Sequence, residues 1–162
     1  MARKELLSQL YIVAIDLPQV ETLAFQYTPD KINYERTANV SNVAIVGRNN
    51  DLHHFVGGST SLSFAMDFYS LESNRMDVKR KIKWLESMTY SERQRPPSRL
   101  KIVFGDLFKD EIWILTSVGV EYDVPDLSAG ALPLYAIASL NFVRDTERDI
   151  YGDDIRNMNY GR

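Results

Sequence analysis

Between residues 61 and 68 apolar and polar positions alternate without a break. Leu62, Phe64, Met66 and Phe68 share one parity, and Ser61, Ser63, Ala65 and Asp67 take the other. Period two over this length predicts a half-buried strand with one wet or interface-facing side. Gly57-Gly58 just ahead of it fits a turn or bulge that needs positive φ. Upstream, "LYIVAID" (10–16) reads as a buried strand, and "ETLAFQYTP" (21–29) puts Leu23, Phe25 and Tyr27 on one face before a Pro29-Asp30 turn. "YERTANVSNVAIVG" (34–47) turns apolar only in its second half, and "RNNDLHHF" (48–55) reads as a polar loop.

A switch to helical spacing occurs once. In "MDVKRKIKWLESMTY" (76–90) Val78, Ile82, Leu85 and Met88 form one stripe, with Asp77 in the first turn near the positive end of the dipole. Lys79, Arg80 and Lys83 decorate the other side, and Pro96-Pro97 forbids continuation. Three more strands follow: "RLKIVFGD" (99–106), "DEIWILTSVGVEYDV" (110–124) and "LPLYAIASLNFVRD" (132–145), the last two joined by a hairpin loop. Both parities of 132–145 carry apolar residues, which predicts that both faces of this strand are covered. The expected fold is therefore mainly β, a β-sandwich or small barrel of mostly antiparallel strands with one packed α-helix.

Chain length then sets the domain count. The 162 residues suffice for one core, with 1–145 as the β domain and 146–162 as a C-terminal extension that docks on another chain or frays. Hydrophobic residues at 44% and charged residues at 25% are ordinary globular values, and a net charge of −3 argues against general affinity for a phosphate backbone. The apolar run Leu10–Ile15 is too short for a signal peptide, and no stretch is long enough to span a bilayer, so no membrane insertion is expected.

Candidate chemistry is thin. The chain has no cysteine, which removes disulfides and thiolate sites. Its two histidines, His53 and His54, are adjacent, and neighbours on a strand point to opposite faces, so one ion cannot easily take both. Zinc or facial-triad sites need three protein ligands. "GGSTS" (57–61) lacks the lysine and spacing of a phosphate loop, and no nucleophile elbow surrounds any serine. No cofactor, metal or catalytic residue is expected. The alternative left open is a small β-barrel that binds a ligand, or a metal-dependent hydrolase using His53 or His54.

Several segments together carry a resemblance. "FQYTPDKINYERTANV" (25–40) resembles the aromatic-x-aromatic-x-Pro opening of tube-forming proteins in contractile phage tails and related injection systems, with Thr28 where that family often has Asn. "FVGGSTSLSFAMDFYS" (55–70), "DVKRKIKWLESM" (77–88), "RPPSRLKIVFGD" (95–106), "IWILTSVGVEYDV" (112–124) and "LPLYAIASLNFVRD" (132–145) are similar to later family segments in the same order. The nearest subgroup is the tube initiator or hub-to-tube adaptor, here without the LysM-type module that often follows the last strand.

The resemblance implies a structural subunit in the virion tail, made in the bacterial host cytoplasm, that joins sister copies in a hexameric ring. Its partners would be the tail tube and the baseplate hub or wedge proteins, with DNA passing through the lumen without sequence-specific contact. Three segments are expected at the subunit interface: the tail with Tyr151, Ile155 and Tyr160, the stretch with Asn39, Val43, Ile45, Asn49, His53, His54 and Phe55, and the 125–133 hairpin tip.

Overall fold

The computed structural model describes residues 9–91, 93, 95–123, 130–146 and 150–158. Among these, seven strands form one antiparallel sheet: β1 (Tyr11–Ala14), β2 (Glu21–Ala24), β3 (Ile32–Val43), β4 (Leu52–Tyr69), β5 (Leu100–Val103), β6 (Ile112–Tyr122) and β7 (Tyr135–Asp145). Their order in the sheet is β2-β1-β5-β6-β7-β4-β3. Helix α1 (Met76–Ser87) follows β4, and a one-turn helix α2 (Gly152–Arg156) follows β7.

The sheet folds over on itself. β5 and β6 are joined by a single residue pair, Leu100 with Trp113, which lets the short strands swing against the long ones. The ring of Phe25, just past β2, meets Phe64 and Phe68 of β4 with centroids 6.4 and 5.7 Å apart, although the two strands stand near opposite ends of the strand order. Ile12, Ala14, Leu23, Phe25, Leu100 and Ile102 thus pack against Leu62, Phe64, Met66, Phe68, Leu140 and Phe142 in one core. Val78, Ile82, Leu85 and Met88 add the buried stripe of α1, as helical spacing predicted.

Four expectations are corrected by the structure. His53 and His54 lie inside β4, not in a loop; the loop is 44–51. β3 spans 32–43 and stops before the apolar residues Ile45 and Val46. Tyr27 is exposed, because β2 ends at Ala24 and its face turns outward two residues after Phe25. β7 buries Ala136, Ala138, Leu140 and Phe142, while Ser139 and Asn141 of the other parity are exposed, so only one of its faces is covered within the chain. Its Ile137 and Val143 are half-buried among small polar neighbours, which sequence alone does not separate from a second core.

Candidate assembly interface

β4 is the longest strand, 18 residues, or about 60 Å at the usual rise. β3 pairs with it along residues 52–64, whereas β7 pairs only from Ser61 to Tyr69. Residues 52–60 with their β3 partners therefore project as a two-stranded arm of roughly 30 Å. Such a hairpin is marginal alone in water.

A bulge sits in the arm. Ala38 pairs with Gly58, but Val40 pairs with Phe55, so Val56 and Gly57 together face Asn39. Gly57 takes φ +103°, the left-handed region that favours glycine. The extra residue reverses the parity of β4 within the arm. As a result Phe55 and Val40 share the face that continues the core, where they are 68% and 54% exposed. Val43, Ile45, Val46 and Val56 are also exposed toward the outer end of the arm, Val43 on the opposite face from Val40 and Phe55 by register.

The segment from Asn39 to Phe55 is thus one physical object. Asn39 lies opposite the bulge, Val43 pairs with Leu52 at the last rung, Ile45 and Asn49 sit in the end loop, and His53, His54 and Phe55 occupy β4. His53 Nδ1 lies 2.6 Å from Asn42 Oδ1, while His54 is paired with Ser41 on the opposite face, the alternation expected of neighbours on a strand. Among the described residues no group of three His, Asp or Glu could hold a metal ion. Ile155 belongs to α2 and Tyr151 is its N-cap; the helix buries no residue of its own. Tyr160 lies outside the described residues, as do 125–129 of the expected hairpin tip; Gly130 and Ala131 are exposed.

Sequence reasoning did not single out Val40, Val46 or Val56. The available signal was Gly57-Gly58: a bulge there reverses the parity of everything before it. Nor did it delimit a second feature, the face of β3, β4, β7 and β6 turned away from the core. By register that face carries Asn33, Glu35 and Thr37 of β3 beside Ser59, Ser61, Ser63 and Asp67 of β4. Tyr135, Ile137, Ser139, Asn141, Val143 and Asp145 of β7 and Ile112, Ile114, Ser117, Gly119 and Glu121 of β6 continue it. Four carboxylates and a row of small hydroxyls and amides lie there, and none of those strand positions holds a lysine or arginine. Asn141 Nδ2 donates to Ser117 Oγ at 2.7 Å, and the Tyr135 hydroxyl donates to Asp67 Oδ1 at 3.0 Å. Desolvation, reinforced by that bond, pushes the Tyr135 phenol up to about 12.

The two edges of the sheet differ. β2 is four residues long. β3 is twelve, every residue after Ile32 is exposed, and its charges are limited to Glu35 and Arg36 with no proline.

No family model matches the chain, and no curated protein matches it. Among solved structures, a chain of the virion of a native gene transfer agent particle overlaps at TM-score 0.43 and 15% identity, covering 85% of this chain and 91% of that one. A chain of the anti-feeding prophage baseplate, 6-fold symmetrised, gives TM-score 0.44 and 16% identity over 86% and 91%. A chain from the tail of an empty gene transfer agent particle, with C6 symmetry, gives 0.38 and 14% over 88% and 96%.

Proposed function

We propose that this protein is a non-catalytic structural subunit of a contractile phage tail or injection machine, forming a sixfold ring that joins baseplate hub and tail tube. The observation that carries the proposal is the unprotected outer edge of β3. Twelve residues of exposed strand present a row of N–H and C=O groups to water, beside an arm whose apolar residues are also exposed. Chains that remain alone blunt such edges with charge, proline or short length; this one does so only at the four-residue β2. Pairing the edge with a neighbouring copy satisfies its backbone groups, and a head-to-tail contact of this kind closes into a ring when the rotation permits.

Around such a ring the carboxylate-and-hydroxyl face lines the channel and α1 clads the outside. A face whose carboxylates outnumber the bordering Lys31 repels a passing polyanion rather than holding it. The ordered motifs from Phe25 to Asp145 support the tail assignment independently of the sheet edge. The arm, with Asn39, Val43, Ile45, Asn49, His53, His54 and Phe55, supplies the interface, and residues 146–162 act as a separate docking extension.

The test is light scattering and electron microscopy of the purified protein, alone and with its tube and hub partners. Rings of sixfold symmetry are expected. A chain that remains monomeric in the presence of both partners overturns the proposal.

A further inference from the structure

Helix α2 and helix α1 present complementary surfaces that the fold leaves uncovered. At α2 the apolar Tyr151 and Met158 are 66% and 78% exposed, Ile155 is exposed between them, and Asp153 and Asp154 stand in the first turn. Asp154 Oδ2 accepts the Tyr151 backbone N–H at 3.0 Å, so the short helix is held in shape by its own cap. On α1 the outward stripe runs Met76, Lys79, Arg80, Lys83 and then Tyr90 beyond the helix, all exposed. Lys81 pairs with Asp77 at 2.8 Å and Lys83 with Glu86 at 2.6 Å, while Lys79 and Arg80 have no ion pair with any described residue.

We infer that the C-terminal segment 150–158 of one copy docks on the outer face of α1 of a second copy. Asp153 and Asp154 meet Lys79 and Arg80, and Tyr151, Ile155 and Met158 cover the apolar ends of the stripe at Met76 and Tyr90. Asp153 and Asp154 outnumber Arg156 of the last turn, so the segment is net negative against the basic stripe, and the apolar groups flank the charges on both sides. An acidic, aromatic-bearing segment on a basic helix face is thereby desolvated at its apolar rim and paired at its centre. The inference deepens the ring reading, since it names a contact between neighbouring copies, and it gives residues after β7 a partner within the same assembly.

The test uses the full chain as an equal mixture of isotopically heavy and light copies, assembled with the tube and hub partners and treated with a carbodiimide. This reagent condenses a carboxylate with a lysine amine without a spacer, so it reports direct ion pairs. Mixed-label peptides joining Asp153 or Asp154 to Lys79 or Lys83 are expected. Rings that form with no such peptide, or with same-label peptides only, overturn the inference while leaving the ring intact. A chain that stays monomeric overturns the ring reading and this contact with it. In addition, Lys79→Glu weakens association about tenfold without moving the thermal midpoint, and Asp153→Lys, which leaves the Asp154 cap in place, restores it. Failure of that restoration counts against the pairing.

Discussion

Asp16 and Glu111 show how two carboxylates in one fold respond oppositely to pH. Asp16, two residues past β1, is gripped by Arg99: Nε reaches Oδ2 at 3.0 Å, Nη2 reaches Oδ1 at 3.0 Å, and the Arg99 backbone N–H donates to Oδ2 at 2.9 Å. The side-chain hydrogen bond of Arg99 holds the Asp16 carboxyl below its ordinary value. Its stabilisation is therefore present above the unfolded aspartate value and is lost as pH falls through the folded one. Both side chains are about one-third exposed, so solvent screening limits the pair to about 1 kcal/mol. Asp16→Asn is expected to lower the thermal midpoint at pH 7 by about 2–4 °C. As pH falls through the folded value of Asp16, into acid where both forms are neutral, that difference closes. Circular-dichroism melts at pH 7 and in acid check this, and a gap that persists in acid refutes it. Glu111 is buried, and burial raises its carboxyl pKa against the pull of Arg144 at 3.8 Å. Protonation of Glu111 thus favours the folded state as pH falls, the opposite sign.

At the scale of elements, the core faces were legible and the arm was not. Period-two alternation identified Leu62, Phe64, Met66 and Phe68 as buried, and helical spacing identified Val78, Ile82, Leu85 and Met88, because one-sided burial writes its period directly into the chain. The arm has no buried face to impose such a pattern, so "RNNDLHHF" read as loop while its last four residues are strand. The bulge hid the rest, since an inserted residue reverses the parity that would have joined Phe55 to Val40. The two glycines serve this element in different ways. At Gly57 a Cβ would meet nothing within 4 Å but would be forced to φ +103°; at Gly58 it would run into the Thr37 carbonyl and lie 2.9 Å from Arg36 Nη2. Gly57→Ala should cost about 1–2 kcal/mol through backbone strain alone. Gly58→Ala should cost about the same or more by pushing β3 away from β4. Hydrogen exchange then rises along residues 52–60 and stays slow at 62–68. Uniform protection in both variants would show that the arm does not depend on the bulge.

For the whole molecule, burial is distributed between two destinations. One core, closed by the folded-over sheet and α1, accounts for the stability of a single copy; the arm, the β3 edge and α2 contribute little to it and are left for contacts outside the chain. This separation makes stability and assembly independently mutable. Phe64, stacked on Phe142 with centroids 5.4 Å apart, belongs to the core, and Phe64→Ala should cost about 3–5 kcal/mol in the isolated chain. The double change Val40→Ser with Phe55→Ser removes apolar surface already in water, so it should leave the monomer within about 0.5 kcal/mol of the parent. Under the ring proposal the same two side chains anchor the arm against a neighbour, and their loss should weaken assembly by about 30-fold or more. Denaturant melts of the monomer and light scattering of the assembled protein measure the two effects separately. If the double variant melts early, the arm packs on its own chain. If it assembles as readily as the parent, the arm is not the interface, and the exposed edge of β3 must be satisfied by some other contact.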